Sequence, residues 1–295
     1  MTLQAAIEEF LIDQQIRGNS PKTLKYYKQT LGHFLLFTEP TFTNLSSITL
    51  PLCKSYYIHL TTRNLSSTTI QTYIRALRTF LTWCYREEYL PENIPARFKL
   101  PKAQRKAIDV LTDAEVRRLF SCFNLRTMTG ARDYAICALM IDSGLRLNEV
   151  VTLQAGAVHV PEGYAIVNGK GNKQRIVPLG LQSKRALIRY MGRLPAIEHQ
   201  TPLFVKGTLI PLQDSTIKQL FRKLKIRANI PRLRPHLLRH SFATRYLENG
   251  GDIYSLQQIL GHTSLEMVKR YVHTIPSKTV VSFPQFSPLD NLPNK

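Results

Sequence analysis

The chain has 295 residues, with 40 Lys+Arg against 20 Asp+Glu and 8 His, a formal net charge of +20. That length suits two domains of ordinary size, and a hydrophobic content of 43% excludes a disordered basic tail. A globular chain this basic is expected to meet a polyanion or an acidic membrane surface. No stretch approaches the roughly 18 consecutive apolar residues of a membrane-spanning helix. Glu8 and Glu9 stand where a signal peptide would be basic and then apolar, so a cytoplasmic protein is expected. The four cysteines, Cys53, Cys84, Cys122 and Cys137, fall singly in apolar stretches without a CxxC pair and are expected to be buried free thiols.

Residues 1–100 hold 11 Lys+Arg and 7 Asp+Glu, and residues 101–295 hold 29 and 13, so the strongest hold on a polyanion is expected in the second part. The first part predicts an all-helical unit with helices around 3–17, 23–37, 49–61 and 67–88. In the last of these Ile70, Tyr73, Ile74, Leu77, Phe80, Leu81 and Cys84 recur at three- and four-residue steps, the mark of one buried face. Arg75 and Arg78 fall among the remaining positions. The basic segment 101–110, with Pro101, Lys102, Arg105 and Lys106, reads as a linker. Thr112 and Glu115 then form a capping box that starts a new helix. The domain boundary is placed near residue 107.

The second part predicts helices over 113–122, 131–151, 181–192, 213–228, 235–248 and 252–274. Tyr164 to Val167 and Gln174 to Val177 alternate like strands around a Gly/Asn-rich turn. The fold class is therefore mainly α with a small antiparallel sheet.

Four segments carry residues suited to phosphate chemistry. In Gly144-Leu145-Arg146-Leu147-Asn148-Glu149, the arginine and the carboxylate share a helix face three residues apart, which fixes the guanidinium fork. The turn Asn168-Gly169-Lys170-Gly171-Asn172-Lys173-Gln174-Arg175 carries three cations, and its glycines permit close approach of the backbone to a ligand. Arg234-Pro235-His236-Leu237-Leu238-Arg239-His240 opens a helix at a proline, with cations beside unpaired backbone N–H groups. Leu260-Gly261-His262-Thr263-Ser264-Leu265-Glu266 holds a second capping box, at Thr263 and Glu266, ahead of Tyr271. Nine residues separate His262 from Tyr271, half a turn out of phase on one helix, so spacing alone does not join them. The eight histidines lack HExxH or HxH spacing and no acidic cluster is placed to hold Mg²⁺, so neither metal nor cofactor is expected.

Taken in order, Gly-Leu-Arg146-x-x-Glu149, Gly-Lys170-Gly-Asn-Lys, His236-x-x-Arg239-His240, Leu-Gly-His262 and Tyr271 resemble the tyrosine recombinase (phage integrase) family. The resemblance covers most of residues 110–275 and, more weakly, the helical first part. In layout it is similar to the two-domain Xer-type enzymes. It implies a helical core-binding (SAM-like) domain over 1–100, a linker over 101–110 and a catalytic domain over 111–275. It also implies a tail over 276–295 that docks on a neighbouring protomer.

The implied activity is site-specific recombination of double-stranded DNA at inverted repeats. Strands would exchange through a 3′-phosphotyrosyl link and a Holliday junction, in a tetramer of this chain or with a second related recombinase. Tyr271 would attack the phosphate, Arg146 and Arg239 would clamp its non-bridging oxygens, and Lys170, with Lys173 as rival, would protonate the leaving 5′ oxygen. His236 would serve as acid/base partner, His262 as a phosphate hydrogen-bond donor, and Glu149 would hold the site in place. Further DNA contacts are expected from Arg75, Arg78, Lys102, Arg105, Lys106, Lys173, Arg175, Arg232 and Arg234. The alternatives are a DNA-binding protein without catalysis and a relaxing type IB topoisomerase.

Overall fold

A computed structural model describes residues 1–38, 44–98, 108–169, 173–196, 198–207, 209–262 and 264–272, without the side chains of Arg270 and Val272. The chain divides into two compact units, Met1–Lys106 and Ala107–Lys295. Residues 101–107 of the expected basic linker, the tail and Thr263 of the second capping box lie outside the described residues. Among those described, no helix is long and apolar enough to cross a membrane.

The first unit is helical: α1 (Leu3–Ile16), α2 (Pro21–Thr38), α3 (Leu50–Thr62), α4 (Ser67–Arg86) and the short α5 (Ile94–Arg97). The starts follow the local chemistry. Thr2, Thr49 and Ser66 accept backbone N–H groups of the first turns of α1, α3 and α4, and Pro21 opens α2. The periodic face of α4 is buried at Ile70, Ile74, Leu77, Phe80, Leu81 and Cys84. Phe10 of α1 meets Tyr27, Phe80 and Trp83 edge-on at centroid distances of 5.1, 5.5 and 5.5 Å. These rings tie α1, α2 and α4 into one core. Helix α5 is a single turn capped by the Asn93 side chain, too short for periodicity to reveal.

The second unit begins with α6 (Asp113–Ser121), which carries the full Thr112–Glu115 capping box. The helix expected over 131–151 is two: α7 (Met128–Asp142) and α8 (Leu147–Thr152). The break has a steric cause. Gly144 takes φ of +66°, and a Cβ there would lie 2.5 Å from Phe242 Cδ1, so the chain turns where no side chain fits. A three-stranded antiparallel sheet follows, in the order β1 (Val158–His159), β2 (Tyr164–Asn168), β3 (Gln174–Pro178), with Ile166 opposite Ile176. Then come α9 (Leu181–Met191), a hairpin of β4 (Val205–Lys206) and β5 (Ile210–Pro211), α10 (Asp214–Arg227) and α11 (Pro235–Glu248). Strands β1, β4 and β5 have two residues each and leave no alternation to read.

The helix expected over 252–274 is also two, α12 (Ile253–Leu260) and α13 (Glu266–Val272). Helix α12 ends at Gly261 in the left-handed region, φ 61°. The core joins Ile136, Leu139 and Met140 of α7 to Leu237, Leu238 and Phe242 of α11, with Tyr190 stacked on Phe204 at 5.4 Å. Cys53, Cys84 and Cys137 are buried free thiols, as expected, but Cys122 at the end of α6 is half-buried, its Sγ against Arg118 O.

Candidate active site

The two helix breaks build the site. Gly144, between α7 and α8, and Leu260 and His262, at the end of α12, lie against α11, which supplies the third wall. On α11, positions 236, 239 and 240 share one face. Arg239, 4% exposed, points inward. Its Nη1 donates to Gly144 O, and its Nη2 donates to Leu260 O at 2.6 Å and to His262 Nε2 at 3.2 Å. Two carbonyls at helix breaks thus fix the guanidinium plane, an orientation that a point charge such as Lys does not reproduce.

Arg146 is the N-cap of α8, so it lies just outside the helix rather than on its face. Its backbone N donates to Glu149 Oε2 and its Nη1 to Glu149 Oε1, both at 2.8 Å, while Nη2 reaches Gly261 O at 3.4 Å. The carboxylate, 3% exposed, has a second clamp. Arg175 of β3 donates through Nη1 and Nη2 to its two oxygens, at 2.7 and 2.9 Å, and through Nε to Ile259 O at 2.7 Å. One buried carboxylate therefore orients two guanidiniums from different elements.

Charge balance follows from this packing. Burial pushes the Glu149 carboxyl up, but the Arg175 and Arg146 hydrogen bonds outweigh it and hold the group at about 2. Burial, then Arg146, lowers Arg239 to about 9, so it stays cationic at neutral pH. His262 is lowered to about 4 by burial first, and next by Arg239, Arg146 and Arg175. It is therefore neutral at pH 7 and can accept from Arg239 at Nε2. Its Nδ1 is buried with no hydrogen-bond partner among the described residues.

Tyr271 of α13 is 4% exposed. Its hydroxyl lies 2.8 Å from His240 Nδ1, and the phenol is near enough to Arg239 to favour the charged guanidinium. His262 and Tyr271, unrelated by spacing, are thus brought to neighbouring residues of α11. His236, exposed at the start of that helix, has its ring centroid 6.4 Å from that of His240.

The remaining expected residues divide by placement. Lys170 lies outside the described residues, as do Lys102, Arg105 and Lys106. Gly169 N donates to Lys173 O at 2.8 Å, and Lys173 is exposed. Arg234 and Arg75 are exposed, and Arg78 donates to Phe98 O. In the first unit Arg17, Arg75, Arg78 and Arg86 line a cleft of about 450 Å³ beside Phe10 and Trp83.

Two residues expected to contact DNA make ion pairs within the protein. Arg175 is turned inward onto Glu149, as described, because that buried carboxylate has room for two guanidiniums. Arg232 donates to Asp109 at 3.0 Å and to Glu115 at 2.8 Å, and so ties the segment before α6 to the start of α11. Its hydrogen bond holds the Glu115 carboxyl at about 2. Motif and spacing alone give His240 no role. The available signal was its place four residues after His236 and next to Arg239. Arg175 gave no comparable signal. Among the described residues no group of three or more His, Cys, Asp or Glu is placed to hold a metal ion.

Comparison with known proteins identifies the family. Residues 109–278 match the phage integrase family and residues 2–100 the phage integrase SAM-like domain. Tyrosine recombinase XerD of Staphylococcus aureus is 32% identical over 299 aligned residues, which cover 97% of this chain and 99% of the relative. The crystal structure of XerA recombinase is similar at a TM-score of 0.51 and 28% identity, covering 96% of this chain and 99% of that one. A lambda integrase dimer bound to a core site shares the fold at a TM-score of 0.75 and 17% identity, over 94% of this chain and 97% of that one. A lambda integrase tetramer bound to a Holliday junction does so at 0.69 and 17%, over 90% and 78%. Matched in both halves by family models and nearly throughout by a 32% identical relative, the chain belongs to the phage integrase family, the tyrosine recombinases, and is a site-specific recombination enzyme.

Proposed function

We propose that the second unit cuts and rejoins duplex DNA by transferring a strand to Tyr271. The observation that carries this is the convergence of Arg146, Arg239, His262 and Tyr271 from four separate segments. The Tyr271 oxygen attacks the scissile phosphorus and forms a 3′-phosphotyrosyl bond as the bond to the 5′ oxygen breaks. Lys170 supplies the proton that the leaving oxygen takes up, and His236 is its acid/base partner at the open edge of α11.

Arg146 and Arg239 face the equatorial oxygens, on which negative charge grows in the transition state. Preoriented guanidiniums stabilise that state more than the ground state. Glu149, with Arg175 behind it, positions Arg146. His262 positions Arg239 and reaches the phosphate once the guanidinium moves onto it. The phosphotyrosyl bond conserves the energy of the broken phosphodiester, so the 5′ hydroxyl of a second strand reverses the step without an outside energy source.

The polyanion partner is double-stranded DNA carrying inverted repeats. The exposed Arg75, Lys173 and Arg234 and the arginine-lined cleft of the first unit support backbone contacts. Assembly as a tetramer, of this chain or with a related recombinase, follows from the two-strand exchange. Docking of residues 276–295 on a neighbour would link the protomers. The location that fits such a substrate is the cytoplasm, with the nucleoid.

The test is to incubate the full chain with sheared genomic DNA of its source, recover covalent adducts under denaturing conditions and sequence their ends. The wild type is expected to accumulate adducts at one site flanked by inverted repeats, and Tyr271→Phe none. Adducts with the phenylalanine variant, or adducts scattered over any sequence, would refute the reading.

A further inference from the structure

A phenol ionises near pH 10, so at neutral pH Tyr271 needs a group to take its proton as it attacks. One atom among the described residues is placed for this. His240 Nδ1 lies 2.8 Å from the Tyr271 hydroxyl, with the rings 5.7 Å apart between centroids. This is the distance over which a general base acts. We propose that His240 is a further catalytic residue of this site: its Nδ1 accepts the Tyr271 hydroxyl proton as the phenol oxygen bonds to phosphorus. This rests on the reading of Tyr271 as nucleophile.

The step balances. The Tyr271 O–H bond breaks and its proton goes to the Nδ1 lone pair. The O–P bond forms, the bond from phosphorus to the 5′ oxygen breaks, and that oxygen takes its proton from Lys170. In rejoining, the His240 proton returns to the departing phenolate.

Position supports the assignment. His240 follows Arg239, so one turn of α11 fixes both the phosphate clamp and the proton acceptor. Several described groups lie near His240. From α13 comes Tyr271 itself. From the turn after α12 comes His262, whose Nε2 is occupied by Arg239. From its own helix come Arg239 and His236, the latter exposed and next in the row. Helix α7 also packs on α11, but Arg132 and Asp133 pair with each other and Asp142 accepts from Gly180 N. Direct protonation of Nδ1 reverses the hydrogen bond and blocks the transfer. Strand cleavage should therefore rise with pH through the imidazole titration and then level off.

The experiment measures single-turnover adduct formation by the full chain between pH 5 and 9. The probe is a synthetic duplex of the recovered site, in two forms: one ordinary, one with sulfur replacing the bridging 5′ oxygen. The thiolate leaves without a proton, so this second probe isolates the nucleophile side. Lys170→Ala is expected to be slow on the ordinary duplex and near wild type on the sulfur duplex. His240→Asn, whose amide oxygen keeps an acceptor near the Nδ1 position without its basicity, is expected to stay about 100-fold slow on both and to lose the rising limb. The wild type and His236→Asn should keep that limb on the sulfur duplex.

The proposal is overturned if the wild type shows no such limb there, a result independent of any variant's folding. It is equally overturned if His240→Asn runs within threefold of wild type, recovers on sulfur as Lys170→Ala does, or runs faster. If Tyr271→Phe forms the adduct, the parent reading fails instead.

Discussion

Replacing Glu149 by Gln tests the link between the buried carboxylate and the two arginines it orients. The carboxylate accepts four hydrogen bonds of 2.7–2.9 Å, from Arg146 N, Arg146 Nη1 and both terminal nitrogens of Arg175. Gln keeps one acceptor and turns an NH₂ toward guanidinium donors, leaving Arg175, 12% exposed, without its counter-charge. Breaking one side of a buried pair costs about 3–5 kcal/mol. The proton linkage gives a similar figure. A carboxyl at about 2 in place of its ordinary 4.5 corresponds to about 3 kcal/mol at neutral pH. Its folded value is depressed, so this stability is present above pH 4.5 and is lost as pH falls towards 2.

At about 2–4 °C per kcal/mol for a unit of this size, the second unit should melt about 6–12 °C lower. Far-UV circular dichroism follows both units, whereas the sole tryptophan, Trp83, reports on the first. The dichroism transition should shift while the fluorescence transition holds. A dichroism shift under 3 °C at pH 7, or an unchanged decline between pH 4.5 and 2, would refute the reasoning.

Three other outcomes follow from the same geometry. Arg239→Lys keeps the charge but loses the fork that Gly144 O and Leu260 O orient, so cleavage should slow by about 10²–10³. DNA affinity, spread over many phosphates, should hold. A gel-shift constant that falls in step with the cleavage rate would contradict this. Gly144→Ala combines a left-handed φ with a Cβ 2.5 Å from Phe242; a loss of about 2–4 kcal/mol in denaturant unfolding is expected, and a loss below 1 would count against it. His262 ionises at about 4, below its ordinary 6.5. Its neutral form therefore supports the fold above pH 6.5, and that support is lost as pH falls through 4. Unfolding at pH 7, 5 and 4 should show wild type declining more steeply than His262→Asn.

The sequence by itself determined the helical periodicities, the capped starts, the strand pair around the Lys170 turn and the order of the five motifs. Each depends on neighbours within a few residues, where steric and hydrogen-bonding preferences act directly. Helix α4 was legible because one face repeats Ile70, Ile74, Leu77, Phe80 and Leu81. The breaks at Gly144 and Gly261 were only half legible: a glycine before Arg146 and a capping box at Thr263 and Glu266 hint at them, but periodicity runs on through residues whose conformation is dictated by Phe242 and Arg175 across the core.

Tertiary structure also decided which cations work together. Among 40 basic side chains nothing local separates Arg175, buried on Glu149, from Lys173 two residues earlier, exposed to water. Nor does spacing bring His262 and Tyr271 to one place. They meet neighbouring residues of α11 because α12 and α13 fold back on it, so the pairing of Tyr271 with His240 exists only in three dimensions. Hydrogen bonding acts over about 3 Å, and only the packed fold brings groups 31 residues apart within that range.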